Sequence, residues 1–319
     1  MVFSELIVAY LFLGGSAAGA FLVLAAADLV RASRMRRAAA MTGAPSAGAP
    51  SAGAHSGRAG QARLRRAHSQ GRGLRRIAYV LVAATLALGG VLLCVDLGRP
   101  DAFFLLFLHP TPTYLTVGSF SLLVLLACSM CAAAESVFEL PSAFGAVALA
   151  CKALGCVAAA VLMVYTGLLL QGIQTVALWA SPWLPALFAL SALSCGLALL
   201  LGSACFAGGD SVSIAWCRVL PRADLAVVAL EALVASAYVL TSGSGAAASQ
   251  LQTLVAGECA PLFLGGFAAC GLAVPFALEC AALRFGARPG LLLATAMLML
   301  VGGFCLRLAI VASGMHMAA

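Results

Sequence analysis

Long stretches without a single charged side chain constrain this chain more than any other feature. Residues 77–95 and 289–306, for example, carry no Asp, Glu, Lys or Arg. About twenty apolar residues, rising 1.5 Å each as a helix, span the hydrocarbon core of a bilayer. In lipid the backbone must satisfy its own hydrogen bonds, and the runs are too long for barrel strands, so each reads as a helix. The spacing predicts helices near 5–30, 77–96, 114–134, 144–170, 183–207, 224–243, 259–281 and 290–313. Composition agrees: 63% of residues are hydrophobic and 9% charged, against about 25% charged in an ordinary soluble domain. So little charge cannot clothe a water-facing surface. The fold class is therefore all-α integral membrane, with about eight transmembrane helices expected as two four-helix bundles. The first run has no basic n-region and is too long for a signal peptide, so it reads as a retained helix.

Orientation follows from the basic residues, which favour the cytoplasmic side. Arg31, Arg34, Arg36, Arg37, Arg58, Arg63, Arg65, Arg66, Arg72, Arg75 and Arg76 follow the first helix, and Lys152, Arg218, Arg222, Arg284 and Arg288 fall on the same side. The opposite side keeps Arg99, and Arg307 lies inside the last helix. With an even number of helices, both termini are expected outside. The chain divides into 1–37 (helix 1 and the start of a cytoplasmic loop), 38–72, and 73–319 (helices 2–8). The segment 38–72 is Ala, Gly, Ser, Pro and Arg, with no apolar period and no core to join. It reads as a disordered loop, solvated and topogenic, whose arginines can also touch anionic lipid.

Twelve cysteines suggest disulfides or metal, but nearly all lie within apolar runs. The one CxxC, Cys128 to Cys131, has no second pair at ligand spacing, so the cysteines read as small apolar residues. Gly15 and Gly19 form a GxxxG step suited to close helix packing. The histidines are His55, His68, His109 and His316, none in the middle of a predicted helix. A bis-histidine haem therefore has no ligands here, and no Walker or dinucleotide-binding motif is present.

Ionisable groups inside a bilayer are costly and are functional candidates by default. Arg307 lies toward the outer half of helix 8 and needs an acidic partner or a wet cavity; a salt bridge and a ligand or proton site are both open. Glu231, about two turns into helix 6, suits a proton route or a buried hydrogen bond. Asp28 and Glu279 lie near cytoplasmic helix ends, where a carboxylate reaches headgroups easily. On the outer side Asp96 ends helix 2, Arg99 and His109 follow in the loop, and Tyr10 and Tyr165 sit in the outer parts of helices 1 and 4. Such side chains can hydrogen-bond the two carbonyls of a quinone head within an apolar pocket. For the tyrosines the alternative is an ordinary interfacial aromatic belt, and for His109 a plain loop residue.

Read in order, these segments resemble a known family. They are Tyr-Leu-Phe-Leu-Gly-Gly-Ser-Ala-Ala-Gly-Ala-Phe at 10–21, Asp-Leu-Gly-Arg-Pro at 96–100, and Tyr-Thr-Gly-Leu-Leu at 165–169. They continue with Ser-Pro-Trp-Leu-Pro-Ala-Leu-Phe at 181–188, Ala223-Asp224 with Glu231, and Gly-Gly-Phe-Cys-Leu-Arg at 302–307. The set resembles the polysulfide reductase membrane-subunit family (NrfD/PsrC-like). Two departures are the long 38–72 loop and the 109–116 segment, His-Pro-Thr-Pro-Thr-Tyr-Leu-Thr, where the family has a Ser-Pro-Met-type stretch.

The resemblance implies a haem-free, quinone-reactive subunit of a respiratory oxidoreductase in a bacterial inner membrane. It implies menaquinone or ubiquinone near the outer face, bound by Tyr10, Asp96, Arg99, His109, Tyr165 and Arg307. The implied partners are a four-cluster ferredoxin-like iron–sulfur subunit on the outer face and a molybdopterin oxidoreductase or multihaem cytochrome. This chain holds no metal of its own on that reading, and terminal catalysis belongs to a partner. Glu231, with Asp28 or Glu279, is the expected proton pathway. The competing class is a secondary transporter using Arg307 and Glu231, for which inverted repeats and broken helices would speak. A third reading is a structural anchor without quinone chemistry.

Overall fold

The computed structural model describes residues 5–41, 72–96, 114–138, 144–173, 176–207, 211–243, 247–286 and 288–315. All described regular structure is helical. The helices are α1 (Glu5–Met41), α2 (Arg72–Asp96), α3 (Tyr114–Val137), α4 (Phe144–Gln171), α5 (Trp183–Phe206), α6 (Ser211–Ser242), α7 (Ala248–Val255), α8 (Val274–Phe285) and α9 (Pro289–Met315). A π-helical stretch, Pro261–Ala273, runs directly into α8. Taking that stretch with α8 as one crossing, eight helices are long and apolar enough to cross a membrane.

The expected eight spans are all present, and the differences lie at their ends. α1 runs to Met41 rather than about 30, and α2 begins at Arg72 rather than 77. Hydropathy marks where lipid ends, whereas Arg, Met and Ala are good helix formers that carry the coil on into water. α6 starts at Ser211, not 224, and contains Pro221. That proline lacks an N–H, so the Cys217 carbonyl loses its usual partner four residues on. The short α7 was not among the expected helices; Leu251, Leu254 and Val255 give it one apolar face, but it is too short to cross a bilayer. The reading of 38–72 as a disordered loop falls mostly on residues 42–71, which lie outside the described residues.

Two groups of four helices emerge from the packing. In the first, α1 packs on α2 and α4, and α3 packs on α2 and α4. In the second, α5 packs on α6 and α9, α9 on the π-helical stretch and α8, and α8 on α6. α5 joins them by packing on α1 and α4, and α9 also reaches α1. This is the two-bundle arrangement expected from the sequence.

Small residues set the joint. Gly19 of α1 and Gly196 of α5 touch: a methyl on Gly19 would collide with the Ala192 carbonyl oxygen, and one on Gly196 with the Ala20 amide nitrogen. Helices in lipid gain nothing from hiding apolar surface from one another, so close backbone packing of this kind holds them together. Gly302 of α9 meets Gly271 of the π-helical stretch in the same way. The outer faces are apolar at helical spacing: Leu88, Val91 and Val95 on α2, Val117, Phe120 and Leu123 on α3, Val147, Leu154 and Val157 on α4 are all exposed. Large exposed apolar patches need an apolar solvent or partner, and here the solvent is lipid.

Candidate functional site

Arg307 is fully buried where α1, α5 and α9 meet. Gly303, one turn before it on α9, leaves room for the guanidinium to fold back. Its Nη1 donates to the Gly303 carbonyl at 2.8 Å and to Ser191 Oγ of α5 at 3.3 Å. Phe12 of α1 and Phe188 of α5 flank the charge, with ring centroids 5.6 and 5.4 Å from Cζ. Such cation–π contacts are worth about 0.5–2 kcal/mol each. Gly15 of α1 completes the slot, since a methyl there would sit 3.1 Å from Nη2. The Cys195 thiol of α5 lies against the guanidinium, but neither Nε nor Nη2 has a partner of good hydrogen-bond geometry.

A row of acids runs from this arginine toward the Arg-rich end. On α5, Ser191 and Ser194 are three residues apart and share a face. On α6, Glu231 and Asp224 are seven apart, two turns on one face and about 10 Å along the axis. The two helices run antiparallel, so Ser191 meets Glu231 at one level and Ser194 meets Asp224 at the next. Glu231 also feels the charge of Arg307, across Ser191. Asp224 in turn faces Glu279 of α8. The three carboxyl groups are buried, at 3%, 2% and 1% exposure for Glu231, Asp224 and Glu279. None of the four carboxyl oxygens of Asp224 and Glu279 has a protein donor within hydrogen-bond geometry. Facing carboxyls without donors are satisfied when one carries a proton and gives it to the other. The expectation that Glu279 reaches headgroups is thus corrected: it points inward because α8 packs that face on α6.

Tyr10 and Tyr165 occupy the first bundle. They are 3% and 2% exposed, so they are not an interfacial belt. Their hydroxyls face each other, yet neither finds a hydrogen-bond partner of good geometry. Glycines make their space: the Tyr165 ring lies where a side chain on Gly118 of α3 would be, and Gly14 and Gly89 line the Tyr10 ring. At about 100° per residue, Tyr10 and Gly14 lie on one side of α1, with Phe12, Gly15 and Gly19 on the other. The tyrosine pair and Arg307 therefore face each other through α1 rather than lining one wall. Asp96 ends α2 and is partly buried. Arg99 and His109 lie outside the described residues.

Asp28 belongs elsewhere. It pairs with Arg75 at 3.0 Å and with Lys152 at 3.2 Å, and accepts a hydrogen bond from Tyr79 Oη at 3.1 Å. Lys152 also pairs with Glu135 at 2.7 Å and lies over the Tyr79 ring. This network closes the Arg-rich end of the first bundle, apart from the acid row in the second. Sequence reasoning passed over Ser191 and Ser194, and noted Phe12, Phe188 and Asp224 only within the family resemblance. The available signals were a Ser-x-x-Ser step in an apolar helix and two acids seven apart. Among the described residues no His, Cys, Asp and Glu gather as a metal site, and the cysteines are unpaired.

Together these features define a polytopic helical membrane protein with ionisable side chains sealed along its internal joint. The chain belongs to the NrfD family: residues 51–319 match the family described as "Polysulphide reductase, NrfD". The match begins after α1, which nevertheless supplies Tyr10, Phe12 and Gly15 to the site. No curated protein gives a match to the chain.

Proposed function

We propose that this chain is the quinone-reactive membrane subunit of a multi-subunit reductase, and that it exchanges electrons with an iron–sulfur partner. One observation carries the reading: the Tyr10 and Tyr165 hydroxyls are buried facing each other, with no partner of good hydrogen-bond geometry. Native proteins rarely leave such groups unsatisfied, and a quinone head presents two carbonyl acceptors to them. A menaquinone or ubiquinone supplies two-electron, two-proton chemistry when bound. The chain's own part is to orient and to handle protons. Tyr10 and Tyr165 donate hydrogen bonds. Arg307 holds a fixed positive charge in a dry setting, where it favours anionic forms nearby. Asp96, Arg99 and His109 complete the outer side of the pocket on this reading. The orientation is that of the basic residues: both termini outside in a bacterial inner membrane, with the iron–sulfur subunit and its molybdopterin or multihaem partner on the outer face.

The acid row supports a proton route coupled to this turnover. Glu231, Asp224 and Glu279 lie in sequence between Arg307 and the Arg-rich end. Glu279 suits the entrance better than Asp28, which is held by two cations in the other bundle. Binding of a quinone analogue to the purified complex tests the main reading. Saturable binding that Tyr165→Phe weakens supports it; no binding to an assembled complex refutes it. The π-helical opening of the seventh crossing favours a second reading, a secondary transporter, since transporters break helices at their sites. Solute counterflow in liposomes containing the chain alone would establish that reading instead.

A further inference from the structure

Serines inside these helices commonly spend their hydroxyl hydrogen on the carbonyl three or four residues back, as Ser16, Ser129, Ser203 and Ser313 do. Ser191 makes no such bond. Among the described residues its hydrogen-bond partner of good geometry is Arg307 Nη1, at 3.3 Å. A guanidinium only donates, so Ser191 Oγ is the acceptor and its own hydrogen is uncommitted. The side chain is 1% exposed, so that hydrogen must find its acceptor inside the protein.

The carboxyl beside it is that of Glu231. The register of α5 on α6 gives the same pairing independently. Cys205 of α5 faces Cys217 of α6 near the Arg-rich end. Fourteen residues back on the one helix and fourteen on along the other lead to Ser191 and Glu231. Fourteen residues are close to four whole turns, so the antiparallel faces still meet there. The other ionisable groups around Glu231 are Arg307 of α9, the Cys195 thiol of α5 and Asp224 farther along α6. One hydroxyl thus stands between the buried cation and the first acid of the row.

We propose that Ser191 is a positioning residue that links Arg307 to Glu231, so that a proton arriving on Glu231 frees the full charge of Arg307 for an anion on its other side. The role in turnover rests on the quinone and proton-route reading above. With Glu231 ionised, Ser191 donates to the carboxylate and accepts from Nη1, and the acid offsets the guanidinium. When Glu231 takes a proton, its O–H donates to the second lone pair of Ser191, and the serine hydrogen turns to the Leu187 carbonyl one turn back. Arg307 keeps its hold throughout, but its charge is no longer balanced, and in a dry setting that difference is large. Protonation of Glu231 and negative charge near Arg307 therefore favour each other, and the effect is reciprocal.

Infrared spectroscopy of the purified full-length chain tests the link without any quinone. The carboxyl band of Glu231 is the one lost in Glu231→Gln. It should move in Ser191→Ala and return toward its wild-type position in Ser191→Thr, which restores a hydroxyl. A band at one position in all three proteins overturns the link; equal displacement in Ala and Thr marks crowding and overturns it too. In the assembled complex in liposomes, Ser191→Ala should lower the membrane potential per quinol turned over by the same factor as Glu231→Gln, and the double variant should fall no further. Losses that multiply in the double variant, or an unchanged potential in Ser191→Ala, overturn the coupling. A moved band in a chain whose wild-type complex turns over no quinol supports the Ser191 link and refutes the quinone reading alone.

Discussion

Gly196→Ala puts the joint between the bundles under direct test. The added methyl would lie 2.8 Å from Gly19 Cα, and nearer still to the Gly19 carbonyl carbon and the Ala20 nitrogen. Carbon atoms rest at about 3.5–4.0 Å, so α1 and α5 must part by about 1 Å. All three obstacles are backbone atoms, and no rotamer change can relieve them. Overpacking of this kind costs about 1–3 kcal/mol, and the thermal midpoint of the purified protein should fall accordingly. Function should suffer more. Gly15, one turn from Gly19, walls the Arg307 slot from α1, while Ser191 holds the guanidinium from α5. Parting these helices separates Phe12 and Gly15 from Ser191, and a misplacement of about 1 Å can cost about a hundredfold in rate. Quinol-linked turnover of the assembled complex is the assay. Gly202→Ala is the control, on the same helix but with nothing within 4 Å of its added methyl. If Gly196→Ala matched Gly202→Ala in both midpoint and turnover, the close-packed joint would not be what positions Arg307.

Arg307→Lys keeps the charge but loses the planar guanidinium held between Phe12 and Phe188, so turnover should fall about a hundredfold in a complex that still assembles. Glu231→Gln should leave quinol turnover measurable while lowering the membrane potential generated per turnover; an unchanged potential would remove Glu231 from the proton route. Lys152→Met leaves Asp28 with Arg75 as its cation and Glu135, whose side chain is 36% exposed, without one, and should destabilise by about 1–2 kcal/mol, read as a lower thermal midpoint. Gly118→Ala should push the Tyr165 ring aside and weaken quinone-analogue binding, with Gly145→Ala, which meets open space, as the unaffected comparison.

How much of this was legible in the residues differs from element to element. The eight spans were readable because a bilayer demands about twenty apolar residues whatever the tertiary fold. Their ends were less so. Arg31 and Arg36 look like a loop to hydropathy but are good helix formers, and α1 runs through both. Pro221 looks like a boundary, yet α6 passes it. Among candidate residues, Arg307, Glu231, Tyr10 and Tyr165 stood out because polar groups are rare in such segments. Ser191 and Ser194 did not, since serine is tolerated at helix contacts everywhere and nothing in one helix says what the next will present.

By itself the sequence determined the solvent, the secondary structure and a short roster of costly polar side chains. Those depend on local composition and on the fixed thickness of the bilayer. The tertiary structure alone decided the pairings: Tyr10 with Tyr165, Asp224 with Glu279, Ser191 between Arg307 and Glu231, and Asp28 held by Arg75 and Lys152 rather than in the acid row. The physical reason is the way helices meet in lipid. Without a hydrophobic drive between them, their contacts are set by where glycines let backbones touch, as at Gly19 and Gly196. The rotation of each helix about its axis follows from that contact, and with it the choice of which buried groups face one another.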